Sequence, residues 1–421
     1  MSYNRRNFLK SATAGALGAL LINESASANQ YPNKAKLSFP MADDESYWEF
    51  LKSQFSLKEG LHYFNNGSLG PSPEYVIDRT EKNRRLLDSF PSKYMWGGWS
   101  SQKEDVRKLV AEYLGADPEE IAIIHNTSEG MNLFARSFDL KEGDEIILAD
   151  HEHRTGVAPY EYYCESRGIK LVRPVLPLLP ESADEITQIY KKAITKKTRL
   201  ISMVHMTNTN GMILPVNEVS AIAHQKGIHV CVDAAQTIGQ IRTNIKELGC
   251  DFYAASGHKW LWGPKGVGIL YAKKEKQHLL KPLMVSNGWK DVNIRMFEDY
   301  NTRNLPEVLG LGSAVDFNNI ISQEKKEQRI YKLKWHFRKL LEEDKRFRFK
   351  TPASDDLSAG IQVLEVIDLD VRMAAKKLIE KFNIDCRPMT GHKLNALRIS
   401  LSAFNTIDDV NYLYSALCKL K

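Results

Sequence analysis

The segment SGHKWLWGPKGVG, Ser256 to Gly268, sets one lysine between a histidine and a pair of tryptophans. An ε-amine at Lys259 kept from water by Trp260 and Trp262 is driven toward its neutral form and becomes a nucleophile able to attack a carbonyl. Asp233, 26 residues upstream, ends the apolar run HVCVD. A carboxylate there can hold a pyridine nitrogen protonated, which turns the ring into an electron sink. Thr127 and Ser128 open the helical pattern TSEGMNLFARS, and a helix start offers N–H groups and hydroxyls to a phosphate. Ser256 and His258 can complete that cup. His153 can lie on a ring face, and Gln236 and Asn208 can hydrogen-bond a phenolic oxygen. Amine, carboxylate, anion cup and ring face together fit a phosphorylated pyridine aldehyde.

Taken singly, each group has a plainer role. Asp233, Thr127 and Ser128 suit helix caps, His153 a loop, Asn208 a turn in TNTNG, and the tryptophans a core. Their order along the chain separates the two readings, because each follows a run that reads as a strand. Between Glu119 and Ala272 the runs IAIIH, DEIILAD, IKLVRPV, RLISMVH, IHVCVDA, DFYAAS and VGILYA alternate with amphipathic helical patterns. NEVSAIAHQKG, closed by Gly227, is one such crossover helix. This alternation predicts βαβ units and a mainly parallel sheet, whose ligands gather beyond the carboxyl ends of the strands.

Beyond Tyr300 the texture changes to long charged helices, as in SQEKKEQRIYKLKWHFRKLLEEDKRF, with strands such as LRISLS. A second, smaller α+β domain is predicted there, with the charged helix presenting a solvated face. The boundaries read as a leader at 1–28, an arm at 29–60, a large domain at 61–300 and a small domain at 301–421.

The 421 residues are 43% hydrophobic and 26% charged, an ordinary globular composition. Net charge is +6, or +4 without the leader's Arg5, Arg6, Lys10 and Glu24, and both signs are dispersed, which argues against a nucleic-acid partner. Cys164, Cys231, Cys250, Cys386 and Cys418 lack CxxC spacing, so neither a metal site nor a disulfide framework is indicated, and a single bridge stays open. The N-terminus NRRNFLK, then SATAGALGALLI and Ala26-Ser27-Ala28, resembles a twin-arginine signal peptide, with Asn4 where Ser or Thr is usual. Its apolar core is too short to span a bilayer, so a mature protein without a membrane span, exported to the periplasm, is expected.

From YFNNGSLGPSP at Tyr63 to LRISLSAFNTIDDV ending at Val410, the chain resembles the class V aminotransferase family of fold type I pyridoxal-phosphate enzymes, which includes cysteine desulfurases and isopenicillin N epimerase-like proteins. VDAAQTIGQ followed by SGHKWLWGPKGVGILY carries most of the likeness. The resemblance implies an α/β fold with a mainly parallel seven-stranded sheet and a smaller C-terminal α+β domain, and pyridoxal 5'-phosphate as cofactor. It implies that Lys259 is the Schiff-base lysine, Asp233 the pyridinium partner, His153 the stacking ring, and Gln236 and Asn208 the phenolate partners. Thr127, Ser128, Ser256 and His258 then hold the phosphate. NTRN resembles the segment that reaches a neighbouring subunit's phosphate, which assigns Thr302 a role across a homodimer with shared active sites, although Asn301 replaces the usual glycine. Arg398 matches the arginine that clamps a substrate carboxylate, and Asn66 in FNNGSLG falls on the substrate side.

In this family the substrate amine displaces the lysine, which then acts as base at Cα. Cysteine desulfurases carry a cysteine on a loop before the clamping arginine, and MTGHKLNALRIS has none. Cys386 in NIDCRPM reads instead as a buried thiol in a strand, although lyase chemistry of the selenocysteine lyase type stays open. The expected reaction is transamination of an amino acid or peptide-borne residue, with epimerisation second. Epimerisation needs a proton donor opposite Lys259, and the tyrosines of PYEYYCE and SKYMWGGW are candidates, with Trp96 and Trp99 at the entrance or in the core. An exported binding protein without turnover has no use for the Lys259 and Asp233 pair.

Overall fold

The computed structural model describes residues 44–420, so the twin-arginine pattern and cleavage site lie outside the described residues. Seven strands form the larger sheet: β2 (Ile121–Ile124), β3 (Glu145–Ile147), β4 (Lys170–Val172), β5 (Thr198–Val204), β6 (His229–Asp233), β7 (Phe252–Ser256) and β8 (Gly268–Ala272). Their order is β2-β8-β7-β6-β5-β3-β4. The pairs from β7 through β4 are parallel, and β8 runs antiparallel to both β7 and β2. These strands are apolar almost throughout because helices cover both faces. Phe134, Tyr160, Leu200, Phe252 and Leu270 lie in the resulting core. The predicted crossover helix is present at Val216–His224.

A second sheet is built from β9 (Phe347–Phe349), β10 (Ile361–Val366), β12 (Arg387–Met389) and β13 (Ala396–Ser400), antiparallel and ordered β12-β13-β10-β9. It packs on a core that includes Phe337, Leu364, Leu378, Leu397 and Leu413. This is the expected smaller α+β layer.

The two ends of the chain interlock. Strand β1 (His62–Tyr63) pairs in parallel with β11 (Ile384–Asp385), and the N–H of Ser400 donates to Phe64 O at 2.8 Å. His62–Phe64, read with the 61–300 segment, thus add to the C-terminal layer. Helix Glu45–Ser53 does the same through ion pairs Glu45–Arg329 at 2.6 Å and Lys52–Asp409 at 2.7 Å.

One expectation is corrected. Helix Gln323–Leu341 is not a wholly solvated face, because Lys326, Arg329 and Lys334 are buried in it. Long aliphatic stems let such residues pack while their heads find polar partners. Lys326 Nζ donates to Trp260 O and to Asn318 Oδ1, each at 2.6 Å, and lies 3.2 Å over the Trp262 ring. A buried amine, which burial drives well toward its neutral form, therefore pins the backbone next to Lys259. No helix among the described residues is long and apolar enough to cross a membrane.

Candidate active site

The carboxyl ends of β5, β6 and β7 open onto a pocket of about 190 Å³. Lys259, Asp233, His153, Asn208 and Gln236 line it, and Thr127, Ser128, Ser256 and His258 complete its wall. The set gathered from the sequence is thus brought together, except for Asn66, Arg398 and Thr302.

Burial lowers the Lys259 amine to about 8, against the pull of Asp233 and with help from Arg398 and Arg387. An amine with that value is largely neutral in mildly alkaline water. Asp233 is 3% exposed. Its carboxyl is raised by burial, which outweighs the Ala235 N–H that donates to Oδ1 at 2.9 Å and the charges of Lys259 and His153. A carboxyl so raised would be stabilised as the anion by a protonated ring nitrogen brought beside it. A Cβ at Gly156 would stand 3.2 Å from Asp233 Oδ2, so glycine keeps the free oxygen clear.

His153 lines the pocket from a helix cap rather than from a free loop. It caps helix Arg154–Arg167, with Nδ1 accepting from Thr155 N at 3.3 Å and lying 2.7 Å from Thr155 Oγ1. The cap fixes the ring at the pocket wall. Burial is the largest of the influences lowering its pKa, so the imidazole stays neutral.

The anion cup begins at helix Thr127–Ser137, capped by Asn126. The N–H of Thr127 donates to Ser256 Oγ at 3.0 Å, and the two hydroxyls lie 2.8 Å apart. Gly268 lets β8 approach, since a Cβ there would fall 2.8 Å from Asn126 Cα. His258 Nδ1 is buried without a partner, and burial followed by Lys259 and Lys265 lowers the ring to about 4. An orphaned ring nitrogen beside a helix N-terminus is a place for a hydrogen-bonding anion.

The loop FNNGSLG closes over the lysine. The N–H of Gly70 donates to His258 O at 2.8 Å, and a Cβ at Gly70 would come within 1.9 Å of Lys259 O. Asn66 is fully buried; its Oδ1 accepts from Trp262 Nε1 at 3.3 Å, and its Nδ2 has no partner. Arg398, 1% exposed, donates from Nη1 to Asn208 O at 3.1 Å and from Nη2 to Ser68 Oγ at 2.6 Å. Its Nε is unpartnered, and a Cβ at Gly67 would stand 3.5 Å from its Cζ. Burial, then Arg387, lowers its guanidinium to about 9.

Several expectations shift in detail. Gln236 already donates from Nε2 to Gly67 O at 2.8 Å and accepts from Trp260 Nε1 at 2.8 Å, which leaves one N–H for a phenolic oxygen. The tryptophan rings are committed to the core rather than to the pocket. Trp262 packs among Phe55, Phe317 and Phe404. Thr302 is exposed and outside the pocket. The tyrosines proposed as proton donors are elsewhere: Tyr160 is in the core, Tyr162 is 68% exposed, and Tyr94 lines a separate cavity with Trp99. Trp96 is exposed and Trp99 buried. Asp150, His151 and His392 bring ligand atoms within 4.8 Å of one another, but the two imidazoles stack at 4.4 Å and 18°, so their lone pairs do not converge on one ion.

Residues the sequence reading passed over include Arg387, Ser68 and Gly156. Ser68 sits inside a segment already singled out, whereas Arg387 has no local signal. Its importance comes from a strand register.

An amine, a buried carboxylate, a neutral flat ring and an anion cup around one small pocket fit pyridoxal phosphate. The aminotransferase class-V family model matches residues 63–413. Among curated proteins, isopenicillin N epimerase of Streptomyces clavuligerus is 28% identical, covering 88% of this chain and 97% of that protein. A cysteine desulfurase of Serratia proteamaculans is 27% identical over 91% of this chain and 99% of its own. Among solved structures, a lysine-to-alanine mutant of C-DES with glycine covalently linked to its PLP cofactor superposes with a TM-score of 0.79 at 24% identity, covering 88% and 99% of the two chains. By the extent of the family match, which spans the strands and loops that build this pocket, the chain belongs to the class-V aminotransferase family of pyridoxal-phosphate enzymes.

Proposed function

We propose that this protein is a pyridoxal-phosphate enzyme acting on the amino group of an α-amino acid or a peptide-borne one, and that it transaminates. The observation that carries the reading is Lys259, lowered to about 8, in one pocket with buried Asp233 and near Arg398, whose Nε is buried without a partner. When bound, the cofactor supplies an electron sink for charge developing at Cα. Asp233 would hold the ring nitrogen, His153 would cover a ring face, and the Thr127, Ser256 and His258 cup would hold the phosphate. Arg398 receives the α-carboxylate in its fork, which sets Cα against Lys259 Nζ. Lys259, on the pocket wall, would take the Cα proton and hold it on Nζ for redelivery.

The absence of a cysteine among the residues lining the pocket supports transamination over persulfide chemistry. Epimerisation is the second reading, supported by epimerase relatives at 28% and 29% identity. His153 is the residue on the pocket wall that could serve a second face, now that the tyrosines lie elsewhere. One experiment separates the readings. Incubating the yellow holoenzyme with an L-amino acid in deuterated water should release a 2-oxo acid and bleach the visible band. Inversion at Cα with deuterium incorporation and an unchanged band selects epimerisation. We further propose export by the twin-arginine route, supported by Arg5 and Arg6 before an apolar run and tested by fractionating cells that carry an Arg5→Lys, Arg6→Lys form. A homodimer in which Thr302 serves the partner's phosphate fits its exposure here, and sedimentation of wild type tests it.

A further inference from the structure

Arg398 and Arg387 stand directly opposite each other in the register of β13 and β12. Like charges at facing positions repel, and a buried guanidinium is costly unless an anion offsets it. Neither arginine has a carboxylate partner among the described residues. Both reach the same hydroxyl instead: Ser68 Oγ accepts from Arg398 Nη2 at 2.6 Å and from Arg387 Nη1 at 3.4 Å. Of the two, Arg398 is buried, whereas Arg387, on the edge strand β12, is exposed and open to a second anion.

Arg387 also lines a second cavity, about 460 Å³, that shares His153 and Asn208 with the cofactor pocket. Its charges sort simply. Arg154 pairs with Glu161. Burial raises the Glu152 carboxyl well above the usual range, against the Val204 N–H and Arg173, and so favours its neutral form. Asp150 is then the remaining acid, set against Arg387 and Arg173. The side cavity therefore offers excess positive charge to whatever extends from the pocket.

We propose that the substrate is an amino acid whose side chain ends in a second carboxylate, with Arg398 taking the α-carboxylate and Arg387 the distal one at the opening of the side cavity. This rests on the reading of the pocket as an amino-acid site. The two anions relieve the arginine pair together, so acidic substrates gain what neutral ones cannot.

The test is spectroscopic and calorimetric titration of the holoenzyme with L-aspartate, L-glutamate and L-2-aminoadipate against L-asparagine, L-glutamine and L-norleucine. At least one acid should bind about 10- to 100-fold more tightly than its neutral counterpart, the worth of a charge-assisted contact. Arg387→Gln should collapse that preference, with the visible band reporting retained cofactor, and Arg387→Lys should restore part of it. Equal binding of acids and neutral analogues overturns the proposal, as does an Arg387→Gln form that weakens both groups alike. Silence toward every amino acid, in both heat and spectrum, overturns the amino-acid reading itself, which distinguishes the two failures.

Discussion

The two ends of the pocket are made in opposite ways. At the cofactor end, Asp233 closes β6, Ser256 closes β7 and Thr127 starts the helix after β2, so the groups are carried on one hydrogen-bonded sheet and its first crossover. At the carboxylate end, Arg398 meets Ser68 across 330 residues, and a loop, a carbonyl and two strands of the second sheet must all arrive together. The cofactor end shields or satisfies most of its groups internally. The carboxylate end sets Arg398 opposite Arg387 with no ion-paired carboxylate on either among the described residues. Position is secured by the scaffold in the first, whereas in the second it is secured by side-chain hydrogen bonds that a ligand can complete.

The largest effect should come from the cofactor end. On the proposed assignment Lys259→Ala removes both the attachment point and the base, so the visible band should vanish and turnover should fall about 10²- to 10⁴-fold from loss of the base alone. Absorbance and steady-state kinetics check both. A Lys259→Ala protein that keeps its colour and rate breaks the assignment of this end.

A graded effect should come from the other end. Arg398→Ala should raise KM for amino acids about 10- to 100-fold through loss of a charge-assisted, two-pronged contact, and leave the cofactor band in place. Loss of the band together with affinity would show that the two ends are one unit. Gly70 is where such coupling could arise, because its backbone rests on the carbonyls of His258 and Lys259.

A smaller, continuous effect follows from acidity. With Lys259 at about 8 instead of the ordinary 10.5, cofactor uptake by the cofactor-free protein should speed up about tenfold per pH unit below 8 and level off above it. Stopped-flow absorbance reads this directly. The linkage has a definite sign. Between about 8 and 10.5 the folded state has released a proton that the unfolded chain still holds, so this group makes stability rise with pH across that window. A plateau reached only near 10.5 would mean that burial does not govern the amine.

The same contrast explains what could be read from the chain. Lys259, Asp233, Thr127 and Ser256 were legible because apolar runs mark strands and ligands gather at strand ends, so position followed from local pattern. Arg387 was illegible because only the antiparallel register of β12 on β13 places it against Arg398, and register is a tertiary fact. The charged helix misled for a related reason: Lys326, Arg329 and Lys334 look solvated until distant carbonyls and Glu45 supply their partners. The tryptophans were read as shields for the amine, yet their indole N–H groups hold Gln236 and Asn66 while their rings fill the core.

The smallest expected effect concerns Cys386, which lies between β11 and β12 at the carboxylate end. It is 7% exposed, and burial followed by Asp385 pushes its thiol up to about 12, against the opposing charge of Arg398. A thiol with that value is ionised in only about one molecule in 10⁴ at pH 8, too little to serve as a nucleophile. Cys386→Ala should therefore leave turnover within about twofold and cost about 1 kcal/mol of stability from the small void. Thermal unfolding and steady-state rates, with sulfide and alanine assayed after incubation with L-cysteine, measure this. Brisk sulfide release by wild type that disappears in Cys386→Ala would move the decisive chemistry from the lysine end to the arginine end, and with it the division of labour between the two halves of the pocket.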